Sequence, residues 1–291
     1  MKRQDFRCRE RLRVRWAEVD LQKIVFNGHY LTYFDAAVGG YWRALALPYA
    51  DTMLAFQGEL YVRKASLEYL GSARYDDLVE VGMRCAHIGN SSMRFEGGVF
   101  RGEQLLVSGA LTYVFADPAT QTSRPVPAEL RAVLQGFEAG QNMLAVRCGD
   151  WAELGQAATA LRQAVFVDEQ GISGEIMVDA GDAGAVHALA LNRLGRAVGT
   201  GRLLAAMDGV GTIGRMASLQ AVRAAGVGRA VLDGLLAAAR ERGDRAVTLN
   251  AQASAVGFYL RAGFRPVGDA FEEANIPHQP MVLDLGPRAL E

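Results

Sequence analysis

From His29 to Leu45 the apolar residues Tyr30, Phe34, Val38, Tyr41 and Leu45 recur at three- and four-residue intervals, which places them on one face of a helix. The period then changes. Gly58 to Tyr69, Leu78 to Ile88, Met93 to Phe100 and Gln104 to Phe115 have the length of strands and are separated by Gly, Asp, Asn and Ser. In the second of these, Val79, Val81, Met83 and Cys85 alternate with Glu80, Gly82 and Arg84, the pattern of a sheet with one buried face. One helix with an apolar stripe followed by four such strands predicts a long helix wrapped by an antiparallel sheet.

The regular pattern stops at Asp117-Pro-Ala-Thr-Gln-Thr-Ser-Arg-Pro-Val-Pro127, where three prolines and several turn formers intervene. A short helical stretch, Ala128 to Glu138, leads to Gly140 and then to a new apolar strand beginning at Met143. From there helices and strands alternate. Thr212 to Leu219 reads as a strand. The helix after it carries Leu232, Leu235, Leu236 and Ala239 on one side and stops at Gly243, and a further strand begins at Thr248. The expectation is two domains: residues 1–140, α+β, with a linker from about 117, and residues 141–291, α/β, a mixed sheet flanked by helices. A chain of 291 residues suits two cores of roughly 140 residues each.

Composition narrows the function classes. Lys and Arg total 31 against 32 Asp and Glu, a formal charge of −1, so no global field is available to hold a nucleic-acid backbone and no nucleic-acid partner is expected. No apolar run approaches the ~18 residues of a membrane span, and no signal peptide follows the basic N-terminus; the expectation is a cytoplasmic protein without a membrane partner. Cys8, Cys85 and Cys148 are widely spaced and show no ligand pattern, so neither a disulfide framework nor a metal site is expected.

The chemistry of the first half lies before the helix, in Arg13-Val-Arg-Trp-Ala-Glu-Val-Asp20-Leu-Gln-Lys-Ile-Val-Phe-Asn-Gly-His-Tyr-Leu31. This run resembles the signature of hotdog-fold acyl-CoA thioesterases of the 4-hydroxybenzoyl-CoA type. The resemblance implies that Asp20 is the catalytic carboxylate, attacking the thioester or activating water, and that backbone N–H groups around Asn27 and Gly28 at the helix start polarise the thioester carbonyl. It also implies a homodimer or higher homo-oligomer paired sheet to sheet. Lys23 stands where the family has glycine, and its nearness to Asp20 suggests an ion pair.

In the second half, Arg223-Ala-Ala-Gly226-Val-Gly228-Arg229 lies between a strand and a helix. A glycine-rich turn opening a helix aims several N–H groups and the positive end of the helix dipole at one point, the geometry of a pyrophosphate site. The Arg-x-x-Gly-x-Gly spacing, with Gly257-Phe-Tyr-Leu-Arg-Ala-Gly-Phe264 and Phe271-Glu-Glu-Ala-Asn-Ile-Pro-His-Gln-Pro-Met281 in order after it, resembles GNAT-type N-acetyltransferases, most closely their ElaA-like branch. The resemblance implies acetyl-CoA bound by Arg223, Ala224, Ala225, Gly226, Val227, Gly228 and Arg229, with its pantetheine arm along Met216, Ala217 and Ser218. Tyr259 is then the acid that protonates the departing thiolate. For the acceptor side Glu169, Glu273 and His278 stay open, each equally a loop residue with a structural hydrogen bond.

The combined expectation is a bifunctional enzyme with CoA or acetyl-CoA as cosubstrate, hydrolysing an acyl-CoA thioester in one half and acetylating an amine in the other. The alternative is an acetyltransferase alone, with the hotdog half as an oligomerising scaffold or acyl-CoA sensor.

Overall fold

The computed structural model describes residues 1–174 and 177–286 and divides into two compact units, Met1–Met143 and a second beginning at Leu144. The first runs β1 (Cys8–Arg13), α1 (His29–Ala44), α2 (Tyr49–Ala55), β2 (Glu59–Tyr69), β3 (Leu78–Ile88), β4 (Ser92–Arg101), β5 (Gln104–Ala116) and α3 (Ala128–Glu138). Its five strands form one antiparallel sheet in the order β1-β3-β4-β5-β2. This is the hotdog fold: α1 is the long helix, and the sheet curves around it.

The helix is held by its aromatic face. Tyr30, Tyr33, Phe34, Tyr41 and Trp42 of α1 are all buried, each contributing on the order of 2 kcal/mol of apolar burial. The sheet makes room with glycines. Gly97 of β4 and Gly109 of β5 are cross-strand partners, and a methyl group on Gly97 would overlap the Phe34 ring and stand 2.8 Å from the Gly82 carbonyl oxygen. A second helix also contributes here, contrary to the single helix read from the sequence: α2 is only seven residues long, too short for a periodic apolar stripe to show.

The second unit runs β6 (Leu144–Gly149), α4 (Trp151–Arg162), a wide helical turn over Gln163–Glu169, β7 (Val186–Asn192), β8 (Ala197–Met207), β9 (Val210–Ser218), α5 (Val227–Arg242), β10 (Ala246–Gln252), α6 (Val256–Arg261), β11 (Arg265–Pro266), β12 (Phe271–Glu273) and β13 (Ile276–Asp284). The sheet order is β11-β13-β10-β9-β8-β7-β6, with β12 beside β13. Every pairing is antiparallel except β9 with β10. That parallel pair requires a crossover, and α5 supplies it, burying Val231, Leu232, Leu235, Leu236 and Ala239 against the sheet.

Two irregularities shape the middle of this sheet. Between Gly214 and Ala217, β9 carries one residue more than the facing stretch of β8, a bulge in which Arg215 takes a left-handed backbone at φ 53°. And β9 pairs with β10 only from Val210–Ala246 to Thr212–Thr248; beyond that the ladder ends.

Candidate functional site

In the first unit the chemistry sits on the connection from β1 to α1. After β1 the chain makes a single turn over Trp16–Glu18 and folds back: Val19 bridges to Val25, the Asp20 N–H donates to the Ile24 carbonyl oxygen at 2.9 Å, and the Lys23 N–H donates to the Asp20 carbonyl oxygen at 2.9 Å. Glu18 anchors this loop to the helix. Its buried carboxylate accepts from the Tyr33 hydroxyl, the Arg15 N–H and Arg15 Nε, each at 2.7 Å. Burial pulls the Glu18 carboxyl upward, but those hydrogen bonds outweigh it and leave it below the usual range, so it is ionised at neutral pH. Nothing in the sequence distinguishes Glu18 from an ordinary solvated acid; only the approach of Tyr33 reveals its role.

Asp20 is half-buried at the loop's turn. One carboxylate oxygen accepts the Gln22 N–H at 2.8 Å, and the other has no partner among the described residues. The ion pair suggested by sequence does not form. Lys23 is exposed on a left-handed backbone at φ 61°, the conformation for which glycine is the natural choice. At the head of α1 the N–H groups of Asn27 and Gly28 have no acceptor among the described residues, while the Asn27 carbonyl oxygen takes the Tyr69 hydroxyl at 3.1 Å.

In the second unit, where β9 and β10 cease to pair, a cleft of about 330 Å³ opens between them. Gly214, Arg215 and Met216 line it from β9, Leu249, Asn250 and Gln252 from β10, and Glu273, Ile276 and His278 from the β12–β13 hairpin. Tyr259 of α6 also lines it. Its ring is 7% exposed, set edge-on against Phe258 at 4.9 Å and Phe264 at 5.7 Å, and burial pushes the hydroxyl up to about 12. Tyr259 therefore holds its proton at neutral pH. It packs in the core more deeply than the half-buried Phe258.

His278 is fixed as a single tautomer. Its Nδ1 stands 2.7 Å from the Ile276 carbonyl oxygen, which can only accept, so Nδ1 carries a proton and, in the neutral ring, Nε2 is the nitrogen with the lone pair; Phe271 stacks on the ring at 5.8 Å. Glu273 lines the same cleft and is exposed. Glu169 does not line it. Both its oxygens are taken by Arg223 at 2.6 Å, and Arg223 also donates from Nε to the Ser218 carbonyl oxygen at 3.2 Å.

Beyond Arg223 the backbone alternates hand, with Ala224 at φ 67° and Gly226 at φ 82°, and Val227 then opens α5 without a side-chain cap. The N–H groups of Val227, Gly228 and Arg229 are left with no acceptor among the described residues. The Arg229 side chain turns along the helix to Asp233 at 2.8 Å.

A thioesterase-superfamily model matches residues 22–108, a span that begins two residues after Asp20, and an acetyltransferase (GNAT) domain model matches residues 155–285. The uncharacterized N-acetyltransferase YjcF of Bacillus subtilis (strain 168) is 35% identical over 125 residues, 43% of this chain and 88% of the relative. A candidate esterase of Aquifex aeolicus (strain VF5) is 32% identical over 102 residues, 35% of this chain and 78% of the relative. The crystal structure of a candidate N-acetyltransferase from Lactobacillus plantarum, 29% identical, covers 50% of this chain and 99% of its own, with a TM-score of 0.46.

The chain belongs to both families. Its first unit is a hotdog domain of the thioesterase superfamily, its second a GNAT acetyltransferase domain, and together they make a two-domain acyl-CoA enzyme. The acetyltransferase cleft includes Arg202 and Arg215, which the sequence reading does not single out. Their convergence depends on the β9 bulge, and no periodicity announces one extra residue in a strand. No cluster of His, Cys, Asp and Glu suited to a metal ion occurs among the described residues, and no helix there is long and apolar enough to cross a membrane.

Proposed function

We propose that the chain is bifunctional, hydrolysing an acyl-CoA thioester at Asp20 and transferring the acetyl group of acetyl-CoA to an amine in the cleft between β9 and β10. What carries the second half of this reading is one juxtaposition: a protonated phenol, Tyr259, and an imidazole, His278, whose Nδ1 is engaged by the Ile276 carbonyl oxygen, line the same cleft. The diphosphate of CoA is received by the free N–H groups of Val227, Gly228 and Arg229, with the turn from Arg223 through Ala224, Ala225 and Gly226 shaping the seat. The pantetheine arm runs along Met216, Ala217 and Ser218, on the side of β9 no longer paired to β10. The amine nitrogen attacks the thioester carbon and gives up its proton to His278 Nε2; the C–S bond breaks, and the thiolate takes the Tyr259 proton. Glu273 borders the acceptor. Glu169, engaged by Arg223, steadies the phosphate turn instead of serving as base.

In the hotdog domain the unengaged oxygen of Asp20 attacks the thioester carbonyl or activates water, with the Asn27 and Gly28 N–H groups polarising the carbonyl oxygen. A homodimer is part of this reading. β2 is an eleven-residue edge strand bonded, among the described residues, only to β5, and Leu21, fully exposed beside Asp20, and Phe26, half-exposed, offer apolar surface for a second copy. Three unpaired cysteines and an acyl-CoA substrate suit the reducing cytoplasm.

The deciding experiment is free-thiol release from a panel of acyl-CoAs, with and without amines. Amine-independent release that Asp20→Ala abolishes and Tyr259→Phe leaves intact establishes the hydrolase. Release only with an amine, falling with Tyr259→Phe, reduces the hotdog half to a scaffold or acyl-CoA sensor.

A further inference from the structure

Along the cleft runs a chain of charges that acetyl transfer itself does not use. Arg162, at the end of α4 and 0% exposed, donates from one nitrogen to both oxygens of Asp182 at 3.0 Å. Arg202 of β8, 5% exposed, reaches Asp182 at 2.9 Å and grips both oxygens of Asp179 at 2.8 and 2.6 Å. Arg215, on the bulge of β9, reaches a single oxygen of Asp179 at 2.9 Å. His187, buried beside the cluster, gives its Nε2 proton to the Asp182 carbonyl oxygen at 2.9 Å, and burial lowers its basicity, so it adds no charge.

Three guanidinium groups thus share two carboxylates. The surplus falls on Arg215, which has one hydrogen bond, and its Nε is buried without a partner. Arg202 and Arg215 both line the cleft, and Arg202 Nε is likewise buried and unpartnered. Glu273, on the hairpin side, forms no ion pair with either among the described residues. Arg215 keeps 23% of its side chain exposed and shares Asp179 with Arg202, so a second anion arriving from the cleft would be met by a cation only partly neutralised. The acetyl group and pantetheine arm of acetyl-CoA are uncharged, and the diphosphate belongs at the head of α5, so the cosubstrate does not bring that anion into the cleft.

We propose that the acceptor brings it: the amine substrate is a small amino carboxylic acid whose carboxylate is held by Arg215, with Arg202 and Asp179 fixing the guanidinium behind it. Nη1 of Arg215 is unused and Nη2 has one bond, to Asp179, so the end of the planar guanidinium can meet the two oxygens of a carboxylate. The left-handed backbone at Arg215 departs from the extended course of the strand at the point where this side chain meets the cleft. This inference deepens the acetyl-transfer reading and rests on it for the identity of the amine.

The test separates the two. Binding of N-acetylglycine, N-acetyl-β-alanine and N-acetyl-γ-aminobutyrate to the full chain in the presence of CoA is measured by calorimetry against the corresponding amides, alongside acetyl-CoA turnover with the parent amino acids, their amides and 2-aminoethylphosphonate. At least one acid should bind about tenfold tighter than its amide, the size of effect expected of a charge-assisted pair. Arg215→Gln should erase that preference and raise KM for the free acid about tenfold with little change in kcat, and Arg215→Lys should restore part of it; a thermal melt close to wild type for both variants ties the loss to the side chain. Equal binding of acids and amides by the wild-type protein, or equal weakening of both in Arg215→Gln, overturns the carboxylate site. Preference for the phosphonate over β-alanine overturns its assignment to a carboxylate. Acids bound in preference to amides but never acetylated would overturn the acetyl-transfer reading and leave the anion site standing.

Discussion

Nδ1 of His278 lies 2.7 Å from the carbonyl oxygen of Ile276, two residues earlier on the same hairpin, and this short contact decides which imidazole nitrogen carries the hydrogen in the neutral ring. If Nε2 takes the proton of the attacking amine, His278→Gln should lower kcat for acetyl transfer by roughly 100-fold or more while leaving the affinity for CoA, measured by calorimetry, within about twofold. Unchanged kcat would assign proton removal to water or to Glu273.

Lys23 occupies a left-handed position at the turn after Asp20 without pairing to it. Replacing it with glycine relieves the clash between Cβ and the backbone, and Lys23→Gly should raise the unfolding free energy of the hotdog unit by up to about 1 kcal/mol, the gain partly offset by the greater freedom of glycine in the unfolded chain. Acyl-CoA hydrolysis should hardly change. A large rise or fall in activity would show that Lys23 touches substrate.

Gly97 leaves the space that Phe34 fills. Gly97→Ala should destabilise the hotdog unit by about 1–3 kcal/mol in urea denaturation, since both the ring and the Gly82 carbonyl oxygen stand in the way of a methyl group. The acetyltransferase activity of the other unit provides the control.

Cys8 and Cys85 are buried in the hotdog core, and burial raises both thiols from 9.0 to about 12. In the unfolded chain they ionise near pH 9, so between pH 9 and 12 the folded state binds more protons than the unfolded one. The stability they contribute is present in full below pH 9 and is lost as pH rises, by up to about 1.4 kcal/mol per thiol for each pH unit. Urea midpoints at pH 8 and pH 10 should show the drop, and the Cys8→Ala, Cys85→Ala double variant should lose part of that dependence. Under native conditions a thiol reagent should modify the exposed Cys148 alone.

Most of the architecture was legible because it depends on periodicity. The stripe from Tyr30 to Leu45 and the alternation of Val79, Val81, Met83 and Cys85 mark a helix and a strand wherever they occur, and β3 and α3 have the predicted bounds. Features that depend on count, hand or long-range approach were not legible. α2 is too short to carry a period. The left-handed backbones at Lys23 and Arg215 fall on residues whose identity gives no sign of them. Glu169 looks available as a base until Arg223, 54 positions away, takes both its oxygens, and the Glu18–Tyr33 contact joins a loop to a helix that sequence shows only as neighbours.

The acetyltransferase cleft owes its charged wall to arithmetic as much as to composition. Between Gly214 and Ala217, β9 holds one residue more than the stretch of β8 it faces. A single in-frame codon deletion between Ile213 and Ala217 would close this bulge, leaving the separate irregularity between Leu204 and Met207 untouched, and would remove the left-handed position at which Arg215 meets the cleft. Such a loss would escape a comparison of amino-acid content and would appear only in the spacing of the gene.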